Sequence, residues 1–260
     1  LIDWVRTDLN FKLPNGSFAL KYNHLHLCAF ENFILKSQDS KNRYSAKDIH
    51  SSKKILDKMS SSEFNLLKNS LLGGLAANDR KYSVRDLNYE IDSFKELQHK
   101  DLRNNLKLFL KEIYPILKEK KIKYCIHPDD PPYNVYGLPR IMSNEKDIDF
   151  ITSLYNNDTI GLTLCTGSLG VDKKNNFKTI ISKYGKFINF IHLRNIKRYP
   201  NSYDFHETAH LDGDVNMIEV IKLILKEERR RTNLTNSNIP MRPDHGHTIL
   251  DDQNKKIIPG

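Results

Sequence analysis

Ile160-Gly161-Leu162-Thr163-Leu164 is a short apolar run that stops against Cys165-Thr166-Gly167, and its reading decides the fold of the second half of the chain. Such a run, closed by a glycine-containing turn, is the pattern of a strand buried on both faces in a parallel sheet. Three other runs share this design: Ile122 to Ile126 stops at His127, Phe187 to Ile191 at His192, and Ile239 to Met241 shortly before Asp244. Intervals of 38, 27 and 52 residues between the four end residues each leave room for a loop, a helix and a return. That is the layout of repeated βα units, and in a parallel barrel or an open α/β sheet functional groups gather at the carboxyl ends of strands. His127, Cys165, His192 and Asp244 are therefore expected to converge on one spot as metal ligands.

Residues two apart on a strand face the same side. His192 should then point with Arg194, and Arg242 with Asp244, setting a guanidinium beside a ligand at two strand ends. This suits a metal site that also holds a carboxylate substrate through bidentate hydrogen bonds. Cys125 shares a face with His127 and reads as a small core residue below the site. Thiolate and imidazole donors favour Fe, Co, Ni or Zn over Mg.

A chain of 260 residues is close to the length of a (β/α)8 TIM barrel, so one domain over residues 1–260 is expected, with a mainly helical insertion over 28–100 in its first half. Only four strong parallel strands are visible where a closed barrel needs eight, so the barrel is expected to be incomplete, lacking its first strands and last segment. Unpaired strand edges would make residues 1–260 poorly soluble in isolation. No stretch approaches the roughly 18 apolar residues of a membrane span, and Leu1 opens no signal peptide, so a soluble cytoplasmic protein is expected. Three cysteines make a disulfide framework unlikely. The net charge of +9 raises nucleic-acid binding, but the basic residues are dispersed. The main cluster, Lys226 to Arg231, mixes signs and reads as a solvated helix end, so no nucleic-acid partner is expected.

Along the chain, Leu13-Pro14-Asn15-Gly16 predicts a hairpin or an active-site arm, and residues 45–72 read as helices stopped by Gly73-Gly74. Ser83 with Asp86 resembles a capping box opening a helix to about Gln98, and a long helix spans about Lys100 to Glu119. Further helices are expected over Asn144 to Tyr155, Asn176 to Tyr184, and Asp214 to Arg231 with Met217, Val220, Ile221 and Ile224 inward. Asp212-Gly213-Asp214 reads as a turn that caps the last helix rather than a calcium loop.

Six motifs stand out together: His127-Pro128-Asp129-Asp130-Pro131-Pro132, Gly137-Leu138-Pro139-Arg140-Ile141, Cys165-Thr166-Gly167-Ser168, His192-Leu193-Arg194, Phe205-His206-Glu207 with His210-Leu211, and Met241 to His247 with Leu250-Asp251-Asp252. In combination they resemble the mannonate dehydratase family, sugar-acid hydro-lyases of hexuronate (glucuronate) breakdown with a xylose-isomerase-like TIM barrel. The similarity runs from Asp3 to Gly260. It implies Mn2+ or Fe2+ held by Cys165, His127, His192 and Asp244, and loss of water from D-mannonate to give 2-keto-3-deoxy-D-gluconate. His245 matches the family's acid/base histidine, and Arg194 or Arg242 would supply positive charge at the substrate carboxylate. The family also uses a tyrosine directly after the Pro-Gly that closes this sequence.

Other residues have two readings. Asp129 and Asp130 either cap the loop and orient a ligand histidine or bind substrate hydroxyls, and Arg140 either reaches the substrate carboxylate or pairs with a surface acid. His206 and His210, read as lying on a loop near Glu207, either contact substrate or make structural hydrogen bonds. His206 and His247 join Arg242, Asp129, Asp130 and Arg140 as candidate substrate contacts. His24, His26, His50 and His99 read as ordinary surface or core residues. A sugar isomerase or epimerase of the same barrel superfamily, and an inactive metal- or sugar-acid-binding fragment, stay open as alternatives, and a homo-oligomer is compatible with the sequence.

Overall fold

The computed structural model describes residues 4–73, 82–155, 157–235, 238–250 and 252–254. The expected stop at Gly74, the Asp251 of the Leu250-Asp251-Asp252 motif, Leu1, and the closing Ile257-Ile258-Pro259-Gly260 lie outside them.

The chain opens with the expected hairpin, β1 (Asp8–Lys12) and β2 (Phe18–Tyr22), whose turn is closed by Leu13 N–H donating to the Ser17 carbonyl. Helices α1 (His24–Ala29), α2 (Ser40–Arg43), α3 (Ala46–Lys58), α4 (Ser61–Gly73), α5 (Val84–Phe94) and α6 (His99–Glu119) follow. Ser83 and Asp86 form the reciprocal capping box at the start of α5. Alternation then sets in: β3 (Tyr124–Ile126), α7 (Glu145–Leu154), β4 (Ile160–Cys165), the short α8 (Thr166–Gly170), α9 (Phe177–Tyr184), β5 (Ile188–His192), β6 (Ile196–Arg198), β7 (Phe205–Glu207), α10 (Met217–Thr235) and β8 (Met241–Arg242).

Two four-stranded sheets result. One is parallel, ordered β3-β4-β5-β8, and the other antiparallel, ordered β1-β2-β7-β6. Among the described residues the parallel sheet is open at β3 and β8, and no closed barrel is formed. Every residue of β4 is buried, as a central strand covered on both faces requires. Leu162, Leu164, Ile188 and Ile191 pack with Leu110, Ile148, Ile151, Ile180 and Ile224 of the flanking helices into one core. Burying each of these side chains contributes roughly 1.5–3 kcal/mol. A second core lies under the antiparallel sheet, where Val5, Tyr22, Ile196 and Phe205 meet Leu27, Phe30, Leu67 and Leu87.

Several local expectations change. His206 and Glu207 lie in strand β7, not on a loop, because β2 and β6 supply its hydrogen-bonding partners across the sheet. Three-residue strands are too short to reveal a period in sequence. Helix α10 begins at Met217 rather than Asp214: Asn216 caps it by accepting from Glu219 N–H, while the Asp214 carboxylate accepts from Arg198 N–H and pairs with Lys197. Ile221 sits on the outer flank of α10 at 36 % exposure, whereas Met217, Val220 and Ile224 are buried. In the basic cluster Lys226, Arg229 and Arg230 are solvated as expected, but the helix runs on to Thr235 rather than ending there, and Arg231 is buried, held by Glu227 and donating to the Ile188 carbonyl.

Candidate metal centre

Four candidate ligands leave the same edge of the parallel sheet. The pairing Cys165 with His192, and His192 with Arg242, aligns the carboxyl ends of β4, β5 and β8, and His127 follows β3 directly. Donor atoms of His127, Cys165 and His192 all lie within 4.8 Å of one another, a grouping able to hold a metal ion. His127 Nε2 and His192 Nδ1 are 3.2 Å apart, and His127 is the exposed member of the trio. Asp244 stands outside that trio and approaches one of its members: its backbone takes φ +64°, a left-handed conformation that Asp tolerates, and its carboxylate lies 3.5 Å from His192 Nδ1.

Cys165 is fully buried, with its sulfur accepting from Ser168 Oγ at 3.2 Å. Burial by itself would raise the thiol, but the Arg194 charge and hydrogen bonding to His127 and His192 outweigh it and hold Cys165 well below the usual thiol range. Burial would likewise lower His127, yet its contact with Cys165 carries it above the ordinary imidazole value. A thiolate drawn toward two imidazoles is the donor set a transition metal takes up by displacing protons.

Behind the donors lies a ring of alternating buried charge. Arg6 donates to both oxygens of Asp130 at 2.9 and 2.8 Å and to Glu207 Oε1 at 3.0 Å. Arg194 donates to Asp130 Oδ2 at 2.6 Å and lies 3.8 Å from Glu207 Oε1, closing the ring. All four side chains are at most 4 % exposed. Burial opposes ionisation of Asp130 and Glu207, but Arg194 holds both carboxyls below their ordinary range, joined by Arg6 at Asp130 and by the contact with His245, then Arg6, at Glu207. Gly167 makes room for this ring, since a Cβ there would lie 2.0 Å from Arg194 Nε and 2.9 Å from Arg194 Cβ.

His245 bridges ring and donors. Its Nδ1 makes a short hydrogen bond to Glu207 Oε2, and its Nε2 lies 3.3 Å from Arg194 Nη1 and 3.7 Å from Asp244 Oδ2. Arg242 ion-pairs with Asp244 Oδ1 at 2.8 Å while leaving 57 % of its side chain in solvent. The two arginines thus differ: Arg242 is open, and Arg194 is enclosed.

The remaining candidates are dispersed. Asp129 Oδ2 accepts from Ile141 N–H, Met142 N–H and Ser143 Oγ, so it ties down the loop before α7. Asp130 belongs to the charged ring. Arg140 is buried, donates to the Tyr133 carbonyl and lines a cavity of about 310 Å³ with Asp129, Tyr136 and apolar residues of α5 and α6. His206 packs its ring 5.4 Å from Phe11 and its Nδ1 bonds the Glu207 carbonyl. His210 Nε2 bonds the Pro243 carbonyl, and His247 Nδ1 the Thr248 carbonyl. Cys125 is half-buried in β3. Sequence reasoning missed Arg6 and passed over Glu207; the only signal was a charged residue set directly after Trp4-Val5 and another directly after Phe205-His206.

Donors gathered at the carboxyl edge of a parallel sheet, with buried guanidinium and carboxylate pairs behind them, define the class of α/β proteins that build metal sites at strand ends. Within it, the chain belongs to the D-mannonate dehydratase (UxuA) family, whose sequence profile matches residues 1–260. It is 38 % identical to a mannonate dehydratase of Marinomonas sp. over all of this chain and 67 % of that protein, and 37 % identical to one of Saccharophagus degradans over 98 % of this chain and 64 % of that protein. The solved mannonate dehydratase of Streptococcus suis serotype2 superposes with a TM-score of 0.65 at 28 % identity, covering 99 % of this chain and 58 % of the other. The chain thus spans about two thirds of the length of these curated relatives.

Proposed function

We propose that this chain carries the metal and acid–base centre of a D-mannonate dehydratase, which removes water from D-mannonate to give 2-keto-3-deoxy-D-gluconate in hexuronate breakdown. The observation that carries the reading is the meeting of His127, Cys165 and His192 at one sheet edge, with His245 beside Asp244. Family membership and the relatives' names support the substrate. His127, Cys165, His192 and Asp244 would hold Mn2+ or Fe2+. The ion, when bound, supplies positive charge that polarises the substrate carboxylate and acidifies the proton at C2.

The protein's own residues do the rest. Arg242, open to solvent beside Asp244, receives the carboxylate of an incoming sugar acid by bidentate hydrogen bonds. His245 exchanges a proton through Nε2, serving as the base toward C2 or the acid toward the departing C3 hydroxyl. Arg194, enclosed by Asp130 and Glu207, acts on the site by its charge, keeping Cys165 a thiolate. Asp129, Asp130, Arg140, His206 and His247 shape the loops around the sugar. The parallel sheet is part of a (β/α)8 barrel that the described residues do not close, with the helices of 28–100 inserted in its first half, and the protein works in the cytoplasm, where a homo-oligomer is compatible with it. No described helix is long and apolar enough to cross a membrane.

The test is turnover of D-mannonate by the Mn2+- or Fe2+-loaded protein, read as formation of a 2-keto-3-deoxy acid. Cys165→Ala and His192→Ala should lose metal and turnover together, whereas His245→Asn should keep metal and lose turnover. An isomeric sugar acid as product, with no 2-keto-3-deoxy acid, would overturn the reading.

A further inference from the structure

We infer that Glu207 is a positioning residue for proton transfer: it fixes the ring and tautomer of His245, so that Nδ1 carries the hydrogen and Nε2 faces the reacting groups. This rests on the acid–base role given to His245 above. Glu207 ends β7 in the antiparallel sheet, whereas His245 follows β8 of the parallel sheet, so the contact spans both sheets and 38 positions of sequence.

An ionised carboxylate only accepts, so the imidazole nitrogen against Glu207 Oε2 must be the one bearing hydrogen. The guanidinium of Arg194 only donates, so Nε2, 3.3 Å from Arg194 Nη1, must present its lone pair. Both neighbours therefore select the same tautomer. Glu207 is itself immobile, being fully buried with Oε1 fixed by Arg6 at 3.0 Å. The outcome is an imidazole whose only proton-exchanging atom, Nε2, lies on the side of Asp244. A base presented in the wrong tautomer loses orders of magnitude in rate even when its position is kept.

Three variants of the metal-loaded protein test this. Glu207→Gln keeps the side-chain shape but no longer forces hydrogen onto Nδ1; kcat for D-mannonate dehydration should fall on the order of 100-fold or more, with KM within about threefold and bound metal unchanged. The double variant Glu207→Gln/His245→Asn should be no slower than His245→Asn alone, because the two residues act as one unit. Asn216→Ala removes the cap of α10, outside the ring of Arg6, Asp130, Arg194 and Glu207, and should lose stability while keeping kcat within a few fold. Full kcat in Glu207→Gln, loss of metal with it, additive losses in the double variant, or an equal kcat loss in Asn216→Ala would each overturn the inference. Normal turnover in His245→Asn would instead remove the acid–base reading beneath it. Should Glu207→Gln fail to fold, 15N NMR of the parent protein with diamagnetic Zn2+ decides: His245 protonated at Nδ1 supports the inference, and the opposite tautomer overturns it.

Discussion

Replacing Arg6 by methionine should cost the fold about 3–5 kcal/mol at pH 7, the typical loss when one member of a buried ion pair is removed and its partner stays charged. Arg6 is fully buried, makes three charge-assisted hydrogen bonds to Asp130 and Glu207, and lies 4.8 Å from the Phe205 ring centroid. In the parent, two guanidinium groups balance two carboxylates; in the variant Arg194 alone faces both, and one negative charge is left uncompensated in the interior. Because whole domains are stable by only about 5–15 kcal/mol, this is a large fraction of the total. Urea unfolding followed by circular dichroism, at fixed metal content, reads it as a drop in midpoint.

The loss should also depend on pH. Asp130 and Glu207 titrate below their unfolded values, so the stability they contribute is complete above about pH 5 and disappears as pH falls through the folded values. With Arg6 gone, both carboxyl groups rise toward neutrality and the variant gives up less on acidification. The gap between parent and variant should therefore narrow from pH 7 toward pH 4. A loss under about 1 kcal/mol at pH 7, or a gap that does not change with pH, would refute the account of a tightly coupled buried ring.

Gly167→Ala should destabilise by about 1–3 kcal/mol, since the new methyl group meets the inner part of the Arg194 side chain rather than its mobile end; a midpoint in denaturant equal to the parent's would count against the packing described. Asn216→Ala should lower stability by about 1 kcal/mol through loss of the cap on α10, whereas Asp212→Ala should leave the thermal midpoint nearly unchanged. Arg242→Met should raise KM for D-mannonate on the order of tenfold, the equivalent of one charge-assisted hydrogen bond, with kcat much less affected; steady-state kinetics separates the two.

The donor edge was legible in the sequence because its cause is local. A short apolar run ending in His, Cys or His is written in consecutive residues, and the sense of a parallel strand carries every such ending to the same side of the sheet. The helices over Glu145–Leu154 and Phe177–Tyr184 were legible for the same reason, their caps Asn144 and Asn176 being adjacent in sequence. Strands β6 and β7 were not, because three residues hold no period and the ladder that stabilises them comes from elsewhere. Strand parity lapsed where the strands ended: β5 stops at His192 and β8 at Arg242, so Arg194 and Asp244 take their directions from later turns.

By itself, the sequence determined that His127, Cys165 and His192 meet, since strand direction alone brings them together. Only the tertiary structure decided what stands behind them. Arg6 and Asp130 are 124 positions apart, and Arg6 and Glu207 are 201 apart. No local pattern distinguishes these residues from surface charges; they become partners because one sheet closes over the edge of another and burial takes water away, so that each charge is balanced by an opposite one.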